Sequence, residues 1–330
     1  MSGRALLSLL ADGEVHSGER LADALAVSRA AVWKSIERLR GQGVPIQARR
    51  REGYHLAGAV EMLEVAGIRR WISAPHAAIL AELKLHFEVE STNTLLLDEP
   101  PPATGCAKAC IAELQTRGRG RRGREWLHSF GGGIALSMSW HFRDMPRDLS
   151  ALSLGAGVAV ARALARVGAG RIGLKWPNDL WFEDRKIGGI LIEMRSEAAG
   201  PAFVVIGIGL NVSNPPESLQ AIAATGVQAA TIAQSCAVAP SRNAVAGLVI
   251  DEMLDMLPRF SADGFASYRA AWEHGDALRD RPIRVISGEA EIAGIARGID
   301  ADGGLLVEVA GALRKFVSGE ASLRLQTEGA

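Results

Sequence analysis

The chain has 330 residues, and its 37 Lys+Arg balance 37 Asp+Glu, so the formal net charge at neutral pH is zero. This length suits two or three domains, and the zero net charge excludes a global basic field that would attract nucleic acid or a membrane surface. Any anion-binding site must therefore be local.

The cysteines and the hydropathy pattern exclude several other classes. Cys106, Cys110 and Cys236 are widely placed, with no C-x-x-C motif and no cysteine–histidine cluster of zinc spacing. The start M-S-G-R-A-L-L lacks the apolar run of a signal peptide. No stretch reaches about 18 uninterrupted apolar residues, the length that spans a bilayer. We expect reduced cysteines in a soluble cytoplasmic protein without a membrane span.

The first sixty residues carry the pattern of three short helices and a hairpin. Ser17 and Ser28 are placed to cap the second and third helices. The third helix has an apolar stripe spaced i, i+4, i+7, made of Val32, Ile36 and Leu39. Two short strands, predicted at 44–48 and 54–56, enclose a basic tip. This is the plan of a winged helix-turn-helix.

The third helix and the hairpin tip carry groups that suit DNA. Side chains off the apolar stripe would face a major groove, and the basic ones would contact phosphate. The candidate DNA-binding residues are Ser28, Arg29, Trp33, Lys34, Arg49, Arg50 and Arg51. The alternative, a helix-turn-helix that only packs or docks a protein, is left open by composition.

The next motif lies at a strand-to-helix junction. A helical stretch near 64–71 and a turn at Ala74-Pro75 precede a strand at 85–89, which runs into E-S-T-N-T. Serine and threonine at such a junction offer free backbone N–H groups and short hydroxyls to one spot, which suits a polar ligand head. An ordinary helix N-cap is the competing interpretation.

Residues 115–126 read Q-T-R-G-R-G-R-R-G-R-E-W and concentrate arginine among glycines. Glycine lets the backbone approach a ligand closely, and the arginine fork matches phosphate oxygens and stays charged. Because two strand-like runs, 109–114 and 134–140, enclose the segment, we predict a mobile basic loop that wraps a polyanion. A disordered RG-rich tail that binds nucleic acid is the alternative.

Two further motifs follow a long Ala/Leu/Val-rich helix, which we predict at about 149–167 and packed across a sheet. In K-W-P-N-D, Pro177 breaks a strand and Asn178-Asp179 suits a turn, so Lys175, Asn178 and Asp179 are held on a rigid corner. In R-K-I-G-G-I-L-I-E, Lys186 opens an apolar run whose glycines let a ligand lie flat on the backbone. A solvated lysine is the default alternative.

The last third changes from helices to short strands. Amphipathic helices are predicted at 243–260 and 265–272. From Pro282 onward the pattern is of short strands with glycine turns, and Asp302-Gly303-Gly304 is a strong hairpin signal. About fifty residues of this kind predict a small β-barrel of SH3 type.

These motifs together resemble those of a known family. G-R-G-R-R-G-R, with its upstream glutamine and downstream tryptophan, is similar to the signature of biotin–protein ligases. K-W-P-N-D, R-K-I-G-G-I-L-I-E and G-I-G-L-N (207–211) follow in the family's order, and S-R-A-A-V-W-K-S-I-E-R-L resembles the recognition helix of the repressor-type ligases. The chain therefore resembles the bifunctional bacterial form, biotin ligase and biotin-operon repressor.

The resemblance implies an α+β fold of three domains. It implies a winged helix-turn-helix at 1–60, a mixed-sheet, biotin/lipoate-ligase-like catalytic domain at 61–278, and an SH3-like barrel at 279–330. The implied reaction is ATP-dependent activation of biotin to biotinyl-5′-AMP, with Mg²⁺ on the leaving phosphates. Biotin then passes to a lysine of the biotin carboxyl carrier protein of acetyl-CoA carboxylase. The implied regulation is biotin-dependent repression at operator DNA by a homodimer that the adenylate promotes.

The resemblance also assigns residues to roles, with no metal ligand from the protein. Catalytic roles fall to Arg119, Arg121 and Lys186. Biotin contacts fall to Ser91, Thr92, Asn93, Gln115, Gly118, Arg119, Lys186 and Gly189. Contacts to ATP or the adenylate fall to Arg121, Arg124, Trp126, Asn178, Asp179 and Asn211.

The sequence departs from the family in one loop and leaves three rivals. Some members place an aromatic residue over adenine where this chain has 226–231, G-V-Q-A-A-T, without an aromatic side chain. The rivals are a lipoate-type ligase, a biotin sensor that represses without ligating, and a ligase whose helix-turn-helix is a relic.

Overall fold

The protein is described by a computed structural model at residues 3–127, 129–146, 148–196, 202–287, 290–317 and 321–325. Within these ranges the chain forms a helical N-terminal unit with a small hairpin, a central seven-stranded mixed sheet, and a C-terminal five-stranded antiparallel sheet. The predicted α+β architecture is confirmed.

The N-terminal unit has the predicted winged helix-turn-helix form. Its elements are α1 (Gly3–Leu10), α2 (Gly18–Ala24), α3 (Arg29–Gly41) and the antiparallel strands β1 (Ile46–Arg49) and β2 (Gly53–Leu56). Ser17 and Ser28 accept hydrogen bonds from the backbone N–H groups of Arg20 and Ala31, so both predicted caps are present. The predicted stripe of α3 is buried.

Two short helices, α4 (Val65–Arg69) and α5 (Ala74–Ile79), lead into the central sheet. The predicted turn at Ala74-Pro75 was wrong, because these residues begin α5. Proline suits the first turn of a helix, where its missing N–H is not needed and its fixed φ is already helical. Ser73 is the N-cap of this helix.

The central unit holds the sheet and the helices that follow its strands. The elements are β3 (Leu80–Val89), α6 (Thr92–Asp98), β4 (Ala107–Gln115), β5 (Gly133–Phe142), α7 (Leu152–Arg166), β6 (Gly173–Lys175), β7 (Asp179–Phe182), β8 (Arg185–Ser196), β9 (Ala202–Asn211), α8 (Pro216–Ala223), α9 (Arg242–Asp263) and α10 (Ala266–Gly275). The strand order is β3-β4-β5-β9-β8-β7-β6. Only β3 and β4 run parallel; every other neighbouring pair is antiparallel.

The two faces of this sheet differ in what covers them. One face packs against α7 and α9 and forms the main hydrophobic core. Among the described residues, one helix, Leu149–Arg166, is long and apolar enough by composition to cross a membrane, with a mean hydropathy of 1.3. Because 61% of it is buried within the protein, we assign it as the core helix of this unit. The other face is partly covered by α6 and is otherwise open.

The C-terminal unit is antiparallel throughout. Its strands are β10 (Pro282–Ser287), β11 (Ala290–Ile299), β12 (Leu305–Val309), β13 (Ala312–Phe316) and β14 (Ala321–Leu325), in the order β13-β12-β11-β10-β14. The predicted hairpin joins β11 to β12, and its Gly303 has φ +78°. The indole of Trp176 donates to the carbonyl of Gly303 at 3.0 Å, which fixes this hairpin to the central unit.

A buried ion pair of the central unit holds the connection that follows the winged helix. Glu113 on β4 is 0% exposed, and its carboxylate lies 2.8 Å from the guanidinium of Arg242, the first residue of α9. Glu113 also accepts the N–H of Leu63 at 2.7 Å, while Arg242 donates to the carbonyls of Glu61 and Gly133. The connection after the winged helix is therefore held by charged groups inside the protein.

The core of the N-terminal unit extends beyond the predicted boundary at residue 60. Leu114 and Phe130 are buried in the same hydrophobic cluster as α1, α2 and α3. The ring of Phe130 lies 6.4 Å from that of Phe87, which packs against this cluster. The hydrophobic packing is thus continuous across residue 60. The predicted domain boundaries at residues 60 and 278 stay predictions.

We predict that Glu113→Gln destabilises the protein by about 3–5 kcal/mol, since it leaves the buried charge of Arg242 without its anion. The midpoint of urea unfolding checks this. Glu52→Gln is the control, because Glu52 pairs with Arg49 at 3.6 Å on the surface, where we expect a change within about 0.5 kcal/mol. Equal midpoints for wild type and Glu113→Gln would show that the pair does not stabilise the junction.

Candidate active site

A cleft of about 1260 Å³ opens on the sheet face that α6 only partly covers. Its floor is a row of directly paired residues that runs across β4, β5, β9, β8, β7 and β6. In order the row is Ala112, Ala135, Gly209, Gly189, Asp179 and Lys175. Directly paired residues project to the same face of a sheet, so small residues form the floor and charged ones its far end.

Trp126 lies across the middle of this floor. A methyl group on Gly209 would overlap the indole ring, so glycine is the residue that admits Trp126 here. The backbone N–H of Trp126 donates to the carbonyl of Gly118 at 2.9 Å. This hydrogen bond joins the two ends of the arginine loop. The indole Nε1 is buried and has no hydrogen-bond partner within the described residues.

A buried polar pocket occupies one end of the cleft. Ser91 caps α6, as the ordinary interpretation of this motif predicted. Thr92 goes further: its backbone N–H and its hydroxyl both donate to Gln115 Oε1, at 2.8 and 3.1 Å. The Ser137 hydroxyl donates to Thr92 Oγ1 at 2.7 Å and is 2.5 Å from Asn93 Oδ1. The S-T-N motif thus builds a polar pocket as well as a cap.

Glu193 links this pocket to the arginine loop. Its Oε2 accepts from Asn93 Nδ2 at 2.8 Å and from Arg119 Nη2 at 3.0 Å. Gly207 leaves the space that the Asn93 amide occupies. Sequence reasoning gave no role to Glu193 or Ser137. The period of two along β8, from Gly189 to Glu193, was the signal that would have placed Glu193 on this face.

The arginine loop contains a turn of regular structure and contacts the rest of the cleft. Arg121–Gly123 form one turn of 3₁₀ helix, and the N–H of Gly120 donates to the carbonyl of Arg124 at 2.7 Å. Arg121 Nη1 donates to Asn178 Oδ1 at 3.2 Å, so the loop contacts the K-W-P-N-D corner. Burial, with Arg122 adding repulsion, lowers the pKa of the Arg121 guanidinium, which nevertheless stays protonated near neutral pH.

Lys186 occupies the centre of the charged end. Its Nζ lies 2.6 Å from Asp179 Oδ1 and 5.6 Å from the centre of the Trp126 ring. Its backbone pairs with the 226–231 loop, because its N–H donates to the carbonyl of Gln228 and its carbonyl accepts from Ala230. That loop therefore forms one wall of the cleft.

Asn211, the last residue of β9, lies beside Lys186 at the start of β8. Its Nδ2 lies 3.5 Å from the carbonyl of Lys186, and its Oδ1 accepts from Asn214 at 3.0 Å. Val212, the next residue, donates its N–H to the carbonyl of Gly132. The loop after β9 is thereby fixed to the triple glycine before β5.

The structure brings the predicted ligand residues together, although their roles stay predictions. Those that line the cleft are Ser91, Thr92, Asn93, Gln115, Arg119, Arg121, Arg124, Trp126, Asn178, Asp179, Lys186, Gly189 and Asn211. Gly118 lines an adjoining pocket of about 430 Å³ under the arginine loop. Its position is set by Trp126 and Gln115, whose atoms lie against its α-carbon.

The predicted DNA-binding residues lie outside the cleft. They are exposed at the start of α3 and at the tip of the β1–β2 hairpin, namely Ser28, Arg29, Trp33, Lys34, Arg49, Arg50 and Arg51. Trp33 is 53% exposed, which is unusual for an indole in a small helical unit. The Ser28 hydroxyl is already used as the cap of α3.

Within the described residues no three His, Cys, Asp or Glu side chains cluster as metal ligands do. All three cysteines are free, and burial raises the pKa of the Cys110 thiol to about 12. A thiol with a raised pKa is mostly uncharged at neutral pH, which makes it a weak nucleophile.

Comparison with protein-family models finds three matches along the chain. Residues 4–55 match an HTH domain, residues 87–211 match the biotin/lipoate A/B protein ligase family, and residues 280–324 match the biotin protein ligase C-terminal domain. The order of these matches is the order of the three structural units.

Two curated relatives are similar over almost the whole chain. The bifunctional ligase/repressor BirA of Escherichia coli is 38% identical over 320 residues, covering 97% of this chain and 96% of that protein. BirA of Bacillus subtilis is 30% identical, with 95% of each chain covered. Among solved structures, the biotin protein ligase from Aquifex aeolicus in complex with biotin and ATP has a TM-score of 0.62 at 28% identity, covering 75% of this chain and 100% of that one.

We predict that Gly209→Ala displaces Trp126 from the floor, because the added methyl group overlaps the indole. The fluorescence emission of Trp126, isolated by difference against Trp126→Phe, should shift to longer wavelength as the ring gains solvent. Gly41→Ala is the matched control, since no atom lies within 4 Å of the methyl group that it adds. An unshifted Trp126 emission in Gly209→Ala would contradict this packing.

Proposed function

The chain belongs to the family of bifunctional biotin–protein ligases and biotin repressors, and on this premise we propose that it converts biotin and ATP to biotinyl-5′-AMP and pyrophosphate. It then transfers biotin to a lysine of the biotin carboxyl carrier protein of acetyl-CoA carboxylase. The observation that carries the proposal is the order of the cleft: a buried polar pocket, a glycine floor beneath Trp126, and a charged end with Lys186.

The first half-reaction needs positioning and cations more than proton transfer. A carboxylate oxygen of biotin attacks the α-phosphorus in line and forms a P–O bond. The bond from phosphorus to the bridging oxygen breaks, and pyrophosphate leaves with its electron pair. Negative charge builds on phosphate oxygens, so fixed cations in a cleft that excludes water lower the barrier.

The polar pocket suits the ureido ring of biotin. Hydroxyl and amide groups of Thr92, Asn93 and Gln115 converge there, already oriented by hydrogen bonds to one another and to Ser137. Oriented groups give up little side-chain entropy when a ligand arrives. Gly118 and Gly189 then give the rest of the vitamin access to backbone.

Arg119 and Lys186 are proposed to act on the carboxylate and the α-phosphate. Arg119 is held at Glu193, between the polar pocket and the loop, and Lys186 lies beside Trp126 in the charged end. Arg121 and Arg124 would bind phosphate or order the loop. Trp126 would cover the adenylate and exclude water from the acyl phosphate.

The nucleotide pocket is proposed to involve Asn178, Asp179 and Asn211, with one unusual wall. The loop at 226–231 supplies Val227, Gln228 and Ala229 where some family members place an aromatic residue. Adenine would then pack on aliphatic groups. Because an aromatic partner contributes about 0.5–1.5 kcal/mol beyond its buried area, we propose weaker retention of the adenylate here.

Mg²⁺ would enter as the complex with ATP. The protein fits that arrangement because Asp179 lies in the charged end, while no group of three metal-ligating side chains occurs in the described ranges. Magnesium usually takes one or two carboxylates plus phosphates and water. When bound, Mg²⁺ would neutralise charge on the leaving phosphates. The residues named above would bind and orient the two substrates.

The second half-reaction and the regulation complete the proposal. The ε-amine of the acceptor lysine attacks the acyl carbon of biotinyl-5′-AMP, an amide forms, and AMP leaves. We propose a cytoplasmic protein that forms a homodimer when the adenylate is bound, and that binds operator DNA through α3 and the hairpin tip. Adenylate occupancy and DNA affinity would then be coupled.

Measured activities separate the rivals. Biotin-dependent ATP–pyrophosphate exchange distinguishes a ligase from a sensor that only binds biotin. Offering lipoate in place of biotin tests for a lipoate-type ligase. A mobility shift with DNA from upstream of biotin genes tests whether the helix-turn-helix is a relic.

Lys186→Ala should lower the rate of biotin-dependent ATP–pyrophosphate exchange by about 10²–10³-fold, as removal of an oriented transition-state cation or donor does. Arg121→Ala should instead slow formation of biotinyl-5′-AMP or speed its release, which single-turnover quenching and a filter assay measure. Arg117→Ala is the control, since Arg117 belongs to the same loop but its side chain is 78% exposed. Wild-type exchange in Lys186→Ala would remove this lysine from the site.

Arg50→Ala should weaken binding to operator and to unrelated duplexes alike, because a hairpin-tip arginine contacts phosphate. Fluorescence anisotropy over a salt series should show the slope of log K against log [salt] reduced by about one, with biotin transfer unchanged. Arg269→Ala removes an equal charge from α10, where Arg269 pairs with Glu273. An Arg50→Ala slope equal to wild type would exclude the hairpin tip from the DNA interface.

A further inference from the structure

The row of residues along the cleft floor does not end at the groups assigned above. It continues past Gly189 and Asp179 to Lys175 on β6, the last strand of the sheet. Lys175 is paired directly with Asp179, so the two side chains share the cleft face. This lysine lines the cleft at the side where the C-terminal unit closes it with Arg281, Pro282 and Leu323.

A second group beside Lys175 is a buried donor. Trp181 is 8% exposed and lines the cleft, and its indole Nε1 has no hydrogen-bond partner within the described residues. The Nζ of Lys175 lies 4.4 Å from the centre of the Trp181 ring, a cation–π contact that keeps the charge at this end. Buried N–H groups in proteins are nearly always paired, so this one is suited to an acceptor on a ligand.

The positions of the groups in the cleft indicate which acceptor. In the proposed function the polar pocket, the glycine floor and Lys186 take the biotin ring, the acyl chain and the α-phosphate, and Lys186 is paired directly with Trp181. What lies beyond the α-phosphate on the side away from biotin is the leaving group of the first half-reaction. Lys175 and the Trp181 N–H supply a cation and a neutral donor there, the pairing that phosphate oxygens accept.

Two competing interpretations are weaker. Adenine would need an open aromatic face, yet Trp181 is more than nine-tenths buried and Lys175 already covers its ring. A lysine in contact only with solvent would not lie over a buried indole in register with Asp179. The wall of the cleft next to the C-terminal unit is also fixed, because Arg281 donates two hydrogen bonds to Asp184, at 2.5 and 2.8 Å.

We propose that Lys175 and Trp181 form the subsite for the departing pyrophosphate at the junction of the central and C-terminal units. The inference rests on the proposed ligase function and extends it to Lys175 and Trp181, which have no role in the function proposed above. When the bond to the α-phosphorus breaks, the bridging oxygen keeps the electron pair, and Lys175 holds the resulting anion. The same site binds pyrophosphate when the half-reaction runs backward.

Pyrophosphorolysis tests this subsite directly. The full-length enzyme is given biotinyl-5′-AMP and increasing inorganic pyrophosphate with Mg²⁺, and the ATP formed is measured. Lys175→Gln should raise the pyrophosphate concentration for half-maximal rate at least about tenfold, the effect of losing a charged hydrogen bond. Lys175→Arg should largely restore it, and Trp181→Phe should raise it about threefold or more, since it keeps an aromatic ring and removes the indole N–H.

Transfer of biotin from biotinyl-5′-AMP to the carrier protein involves no pyrophosphate, so Lys175→Gln should change its rate by a smaller factor than it changes half-saturation by pyrophosphate. Arg171→Gln is the charge control, because Arg171 lies just before β6, is exposed and does not line the cleft. Unaltered half-saturation in Lys175→Gln and Trp181→Phe would overturn the subsite. So would an equal change in inhibition by AMP, which would move these residues to the nucleotide pocket. Failure of the wild type to form any ATP would overturn the ligase function itself.

Discussion

The buried pair of Glu113 and Arg242 is the interaction on which the arrangement of units depends. It joins the connection after the winged helix, the strand that ends at the arginine loop, the start of α9 and the carbonyl of Gly133. A lone charge at this depth would be costly, so each partner requires the other. The pair thus sets where the loop begins and where the triple glycine that closes it runs into β5.

Within that frame the chemistry is organised by the size of side chains. Glycine and alanine occupy the floor positions of β4, β5, β9 and β8, and the indole of Trp126 packs directly on Gly209, so the cleft depends on small residues there. The charged members of this row are Asp179 on β7 and Lys175 on β6. A sheet with large residues at these glycines would have the same topology and no cleft.

The sequence predicted the local motifs well because each has a short-range physical cause. Caps at Ser17 and Ser28, the break at Pro177 and the β-strands on either side of the arginine loop depend on neighbouring residues alone. The turn at Ala74-Pro75 was wrong because proline favours both a turn and a helix start. Ser137 and Glu193 escaped notice because their partners lie 44–100 residues away, where only tertiary contacts bring them together.

The shared hydrophobic cluster has a consequence for the history of the chain. Leu114 and Phe130, which stand just outside the two ends of the arginine loop, are buried by the winged helix. The winged helix therefore completes the hydrophobic packing around the two ends of the loop. If the winged helix were lost in evolution, Leu114 and Phe130 would become exposed at the two ends of the loop. Other residues would then have to cover them before the loop could close as well.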